Sequence, residues 1–328
     1  MSLGAVVIGR NEGERLRRCL QSLVGRAAVV VYVDSGSTDG SVELAERIGA
    51  VVTELDRALP FTAARARNAG FARLLEAAPK TELVQFVDGD CEVHPDWLER
   101  AERSIEVDAR LAVVCGRRRE RHPEASIYNQ LCDLEWDTPV GPADACGGDA
   151  LMRVEAVQAV AGYDASLIAG EEPDLCLRMR RLGWRIERID AEMTIHDAAM
   201  TRFGQWWKRS VRAGHAYAEG AARHGRGAEH HWVRETRSNW FWGVGVPAVA
   251  LGLTPVTAGL SLTLLAGYGA LGARTYRSAR RRGIATDAAR LFAASCVVGK
   301  LPQALGQGLY WLRRTTHRQG GLIEYKGA

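Results

Sequence analysis

"QFVDGDCEV", residues 85–93, closes an apolar run from Leu83 to Val87 with two carboxylates, Asp88 and Asp90, on either side of Gly89. A short β-branched run that stops at a glycine-containing polar turn reads as a buried strand ending in a loop. Two carboxylates held that close repel each other, so a positive partner is expected between or beside them.

Upstream of this strand, short apolar runs alternate with longer amphipathic segments. Strands are expected at Ala5 to Ile8, Val29 to Val33 and Val51 to Glu54. Helices are expected around Glu14 to Leu23, Val42 to Ile48 and Thr62 to Ala77, with another near Trp97 to Ile105 after the quoted stretch. This rhythm predicts an α/β fold, a mostly parallel sheet flanked by helices. Ligands of such sheets gather at the carboxyl ends of the strands. Three polar loops fall there: "GRNEGE", "DSGSTDGS" and "DGDCEV". Asp34 is placed to accept hydrogen bonds from a base or ribose, and Gly36 lets backbone approach a ligand closely. Thr38 and Asp39 also suit ordinary capping of the next helix. Asp88 and Asp90 suit a hard divalent cation, Mg²⁺ or Mn²⁺, which prefers oxygen ligands and binds one or two carboxylates together with phosphates.

The 328 residues suffice for one large domain with an appendage, or for two modest domains. Seven scattered cysteines without a CxxC spacing argue against a disulfide framework or structural zinc, and predict a reducing, cytoplasm-facing location. The N-terminus reads as a first strand and not as a signal peptide. The net charge of +4 conceals an asymmetry: residues 274–328 hold eleven Lys or Arg against Asp287 and Glu324, and the preceding residues are net acidic.

Between Arg237 and Arg274 no charged side chain occurs. A run of that length predicts a tilted transmembrane helix with an interfacial lead-in, or a hairpin that dips into a bilayer and returns. Leu291 to Leu312, broken by Lys300 and Pro302, is a second and weaker candidate. The arginine-rich link "RTYRSARRR" favours the hairpin, since it belongs on the cytoplasmic side. A pair of buried helices in a soluble domain is the plainer alternative. In "RFGQWWKRSVRAGHAYAEG", Phe203, Trp206, Trp207, Val211 and Gly214 share a helical face flanked by arginines, the pattern of an interfacial helix at about 202–220, or of one packed on the protein. The expected division is a catalytic domain over 1–237 and a hydrophobic, membrane-associated region with basic loops over 238–328.

Six stretches in order, "VIGRNEGERLRRCLQSL", "VDSGSTDGS", "ARARNAG", "VQFVDGDCEVHPDWL", "CGGDALMRVEAVQAVAGYD" and "AGEEPDLCLRMRRLGWRI", resemble the family-2 inverting glycosyltransferases of GT-A fold, over roughly residues 3 to 210. The resemblance implies a hexosyltransferase-type enzyme with a nucleotide-sugar donor, a UDP-sugar or another nucleoside-diphosphate sugar, a Mg²⁺ or Mn²⁺ cofactor and single displacement. It places Arg10, Asn11, Asp34, Arg67 and Asn68 around the nucleoside, Asp88 at the ribose or metal, Asp90 on the metal, and His196 as a further metal ligand or a diphosphate contact. Gly147, Gly148 and Asp149 line the donor-sugar and acceptor region, beside Glu171. Where the family usually has Glu-Asp, this chain has Glu171 and Glu172. An acceptor hydroxyl needs a carboxylate to take its proton, so Glu172 is the expected base, with Asp174 in reserve. These acids also sit where a helix N-terminus favours negative charge for its own sake.

Gln205 and Arg209 resemble the Gln-x-x-Arg-Trp motif of processive synthases, but the spacing differs and no Trp follows, which argues against polymer synthesis. The expected setting is the cytoplasmic face of a bacterial-type inner membrane. Membrane lipids and a lipid-linked or envelope-glycan acceptor are the expected partners, with no nucleic acid. A nucleotidyltransferase or a non-catalytic membrane-anchored sugar-binding scaffold are the competing readings.

Overall fold

The computed structural model describes residues 1–316. The chain forms two compact units: Met1–His122 with Glu135–Ala198, and Pro123–Leu134 with the chain from Ala199 onward. The elements in order are β1 (Leu3–Gly9), α1 (Glu14–Gln21), β2 (Val30–Asp34), α2 (Ser41–Ile48), β3 (Val51–Glu54), α3 (Ala63–Ala77), β4 (Leu83–Asp88), β5 (Cys91–Val93), α4 (Trp97–Val107), β6 (Leu111–Glu120), α5 (Ile127–Trp136), β7 (Gly141–Pro142), β8 (Ala150–Arg153), α6 (Val154–Ala159), α7 (Glu171–Arg181) and β9 (Arg185–His196). They are followed by α8 (Phe203–His224), α9 (Val233–Trp240), α10 (Val246–Gly252), α11 (Ala266–Arg281), α12 (Thr286–Val298) and α13 (Lys300–Thr315).

The first unit is a mixed sheet in the order β3-β2-β1-β4-β8-β6-β9-β5, with β7 on β9. β3, β2, β1 and β4 run parallel, while β8 is antiparallel to both β4 and β6. The near-continuous apolar strands explain this arrangement. Val6, Val31, Val33, Val84 and Phe86 are buried, as parallel strands covered on both faces must be. Gln85, polar inside a buried strand, is satisfied because its Oε1 accepts from Trp97 Nε1 at 2.8 Å. The register sets Ile8 beside Asp88 and Gly9 beside Asp34, so the polar loops after β1, β2 and β4 share one rim.

The second unit is helical; it takes in Pro123–Leu134 and resumes at Ala199, ahead of the expected boundary after residue 237. The reason is packing: α8 belongs with α13. A Cβ on Gly214 would lie 2.0 Å from the Gln303 carbonyl oxygen, and one on Gly306 would lie 2.0 Å from that of Val211. The two helices therefore meet backbone to backbone, and Val211 and Gly214 are covered by protein, the second of the two expectations for that face.

The expected transmembrane helix is not supported. Among the described residues no helix is long and apolar enough to cross a membrane. The charge-free run is cut into α9, a π-helical turn at Phe241–Gly245, α10, a turn, a 3₁₀ segment at Leu260–Leu265, and α11. Gly259, at φ 88°, reverses the chain, and Ser261 Oγ donates to the Ala250 carbonyl at 2.6 Å to close the reversal. The second candidate stretch likewise divides into α12 and α13, with Pro302 in the first turn of α13, where a missing N–H costs nothing. Arg318, Glu324 and Lys326 of the basic tail lie outside the described residues.

Candidate active site

Strand ends from across the sheet converge on the Asp-Gly-Asp loop. Asp88 ends β4, Glu120 ends β6 and His196 ends β9, and the register pairs His196 with both Cys91 and Glu120.

The positive charge that Asp88 requires comes from the chain itself. Arg67, on α3 and only 2 % exposed, donates to Asp88 Oδ1 at 2.8 Å and to Glu171 Oε1 at 2.9 Å, and its Nη1 lies 3.2 Å from Glu172 Oε1. Arg118 approaches from elsewhere, with Nη2 at 3.2 Å from Asp88 Oδ2 and Nε at 3.5 Å from Asp149 Oδ2. Two guanidinium groups thus neutralise Asp88, where the sequence pointed to a metal alone. Gly148 is required by this crowding: a Cβ there would fall 2.6 Å from both Arg67 Nη2 and Asp88 Oδ2.

Asp90 has a different partner. It is buried, and its Oδ2 lies 3.2 Å from His196 Nε2, while His196 Nδ1 lies 3.2 Å from Glu120 Oε2. Burial, and then the charge of Arg118, hold the imidazole below its ordinary pKa, so the ring is neutral near pH 7. A neutral imidazole has one N–H, yet carboxylates stand at both nitrogens. One of the two contacts therefore sets lone pair against lone pair unless a cation occupies it. Neighbouring ligands of an octahedral ion with bonds of about 2.1 Å lie roughly 3 Å apart, so the Asp90 and His196 atoms fit a divalent cation. Cys91 Sγ is close enough to join them, but burial pushes its thiol well up, and a protonated thiol is no ligand for a hard ion. Asp88, expected as a third ligand, groups with Cys91 and Asp149 instead.

Glu171, Glu172 and Asp174 lie within the first turn of α7, at the helix N-terminus where negative charge is favoured. Burial, reinforced by the charge of Glu171 and opposed by Arg67, raises the Glu172 carboxyl to about 7. Asp174 is engaged elsewhere, its Oδ2 accepting from Arg178 Nε at 2.8 Å one turn along the same helix.

The remaining expected residues hold the loops in shape. Arg10 stacks over Phe61, 5.6 Å from the ring centroid. Asn11, at φ 55°, donates its backbone N–H to Ser37 Oγ and accepts from the Thr38 N–H. Asp34 is buried, accepting from the Tyr32 hydroxyl and from the N–H groups of Gly36 and Ser37. Asn68 clips both backbone groups of Tyr163. Asp149 accepts from the Asp88 N–H and the Thr194 hydroxyl, and Gly147 sits beside Arg118.

Three residues of the site escaped the sequence reading: Arg118, Glu120 and Trp136. Trp136 meets the His196 ring edge-on at 4.6 Å, and the Arg118 guanidinium lies 4.8 Å over Trp136. A faint signal existed in "GRRRE", where strand alternation puts Arg118 and Glu120 on one face while Arg119 pairs with Glu192.

Residues 5–159 match the family model described as Glycosyl transferase family 2. The chain is 29 % identical over 232 residues to the pre-mycofactocin glycosyltransferase of Mycobacterium tuberculosis, covering 67 % of this chain and 47 % of that protein. It is 30 % identical over 194 residues to the succinoglycan biosynthesis protein ExoA of Rhizobium meliloti, covering 56 % of this chain and 57 % of that one. The chain thus spans about half the length of these curated relatives. Among solved structures, the mannosyltransferase PcManGT from Pyrobaculum calidifontis, in complex with GDP-Man and Mn²⁺, is similar with a TM-score of 0.58 at 19 % identity, covering 90 % of this chain and 87 % of that one. That likeness shows the fold, a GT-A-like mixed sheet flanked by helices.

Proposed function

We propose that this chain, which carries a glycosyl transferase family 2 domain, is a metal-dependent inverting glycosyltransferase that moves a sugar from a nucleoside-diphosphate sugar, a UDP-sugar in the first instance, to an acceptor hydroxyl. One observation carries the reading: the buried Arg67 bonds both Asp88 of the Asp-Gly-Asp loop and the Glu171–Glu172 pair, 2.8 to 3.2 Å away. A single guanidinium thereby joins the end that would face a diphosphate to the carboxylate that would take a proton.

Asp90 and His196 would hold the cation, Mg²⁺ or Mn²⁺. When bound, such an ion neutralises charge on a departing diphosphate. Glu172 accepts the proton of the acceptor hydroxyl; with its carboxyl near 7 it is about half ionised at neutral pH and basic enough to be useful. Arg67 keeps that carboxylate ionisable inside a buried site, and Gly148 leaves room for the pairing. The mannosyltransferase of similar fold, in complex with GDP-Man and Mn²⁺, supports a divalent cation and a nucleotide-sugar donor, and the relative named as a glycosyltransferase supports sugar transfer.

The acceptor we propose is carried on a lipid or an envelope glycan, with the protein on the cytoplasmic face of the inner membrane. Support comes from the hairpin of the second unit. Leu251, Val256 and Leu260 at its tip are 63 %, 78 % and 71 % exposed, and Arg277, Arg280 and Arg281 lie exposed along α11. At ~1.5 Å per residue, Arg277 stands about 17 Å along the axis from Ala266. Half of a hydrocarbon core is about 15 Å, so an inserted tip would leave the arginines at headgroup depth. Flotation with anionic vesicles tests this: Val256→Asp with Leu260→Asp should release the protein, and undiminished flotation would refute it.

The function itself is tested by incubating the purified chain with a panel of nucleotide sugars and Mn²⁺. Metal-dependent release of nucleoside diphosphate supports the proposal, and release of pyrophosphate instead would make the chain a nucleotidyltransferase.

A further inference from the structure

We propose that Glu120 is the positioning residue of the cation site, holding His196 by Nδ1 so that Nε2 turns its lone pair towards Asp90. This rests on the cation reading above and adds a residue to it.

Glu120 is buried, and its carboxylate is fixed by backbone: the Ala198 N–H lies 3.1 Å from Oε2 and the His122 N–H lies 3.3 Å from Oε1. Strand pairing sets it opposite His196, with Nδ1 at 3.2 Å from Oε2. The ring has little freedom to turn, since the Trp136 edge packs on it at 4.6 Å and Arg118 covers Trp136. A histidine that ligates a metal does so through a nitrogen bearing no hydrogen, which leaves the N–H to the other nitrogen, and here a carboxylate stands at each.

Which nitrogen is the ligand depends on which side can take the cation. On the Glu120 side the carboxylate is wedged among backbone N–H groups. On the Asp90 side, Asp90 Oδ2 lies 3.2 Å from His196 Nε2, a separation that suits two ligands of a shared ion. The proton therefore belongs on Nδ1 and the lone pair on Nε2. Histidine ligands to metals commonly have their other nitrogen fixed in this way, and loss of such a partner lowers metal affinity about 10- to 100-fold. Irregularities in the β6–β9 register between Cys115 and Arg118 set the phase that brings both Arg118 and Glu120 to this face.

The test begins with the metal-free wild-type chain, labelled with ¹⁵N-histidine and with His196 assigned through His196→Gln. The expected result is the Nδ1–H tautomer, and an Nε2–H tautomer overturns the proposal whether or not any variant folds. Mn²⁺ is then titrated in the presence of UDP, with free Mn²⁺ followed by electron paramagnetic resonance. Glu120→Gln should weaken Mn²⁺ about 10- to 100-fold, and adding it to His196→Gln should weaken binding no further. A folded Glu120→Gln protein with unchanged Mn²⁺ affinity also overturns the inference. Wild-type protein that binds no Mn²⁺ defeats the cation reading itself, and this inference with it; a Mn²⁺-binding wild type with the wrong tautomer defeats this inference alone.

Discussion

Glu172→Gln removes the proposed base while keeping its volume. The wild-type carboxyl titrates near 7 because burial and the neighbouring Glu171 charge outweigh Arg67. The base is then about half ionised at pH 7 and about one-tenth ionised at pH 6, so kcat should fall about fivefold from pH 7 to pH 6 and roughly tenfold for each pH unit below that. An ordinary carboxylate would hold kcat level down to about pH 4.5. Protonation inactivates the group, so activity rises with pH through this window and then levels off. In the variant kcat should drop by about 10²- to 10⁴-fold, the usual contribution of general-base catalysis, and the acidic limb should vanish. KM for the donor should change little, because the lost contact is to the acceptor proton. The assay is nucleoside-diphosphate release under saturating donor and Mn²⁺, from pH 5 to pH 9. A variant that keeps more than a tenth of wild-type kcat, or a wild-type profile flat between pH 5 and 8, would refute the reasoning.

Arg67→Met leaves Asp88, Glu171 and Glu172 without the cation they share, and should destabilise the chain by about 3–5 kcal/mol, read as a lower Tm. Gly148→Ala forces a Cβ to 2.6 Å from Arg67 and Asp88, so kcat/KM should fall tenfold or more while the overstuffing costs stability only about 1–3 kcal/mol. Asp174→Asn, which perturbs a pair with Arg178 on its own helix, should leave kcat within about threefold of wild type; a loss matching that of Glu172→Gln would transfer the base role to Asp174. Chelation with EDTA should abolish sugar transfer, and Mn²⁺ should restore it; transfer that persists in EDTA removes the cation from the mechanism.

Much of the first unit was legible along the chain. The strands at Leu3–Gly9, Val30–Asp34, Val51–Glu54 and Leu83–Asp88 lie where short apolar runs predicted them, because burying a β-branched run is a local choice written in consecutive residues. The polar loops at the strand ends followed from the same pattern, and with them Asp88 and Asp90; Glu172 and His196 were reached only through the family resemblance. Their partners were not legible. Arg118 and Glu120 come to the site only because β6 pairs with β9, and which strands pair is decided by burial of the whole sheet, not by any short stretch. The same holds for Asp88, whose neutralising charges arrive from residues 67 and 118, and for α8, whose apolar face is covered by a helix some ninety residues later. Hydropathy recorded that residues 238–273 avoid charge, but not that Gly259 and the Ser261–Ala250 hydrogen bond fold the run back on itself. Composition determines what a segment must hide; tertiary structure decides what it hides against, since contacts between distant residues depend on the closure of the whole chain.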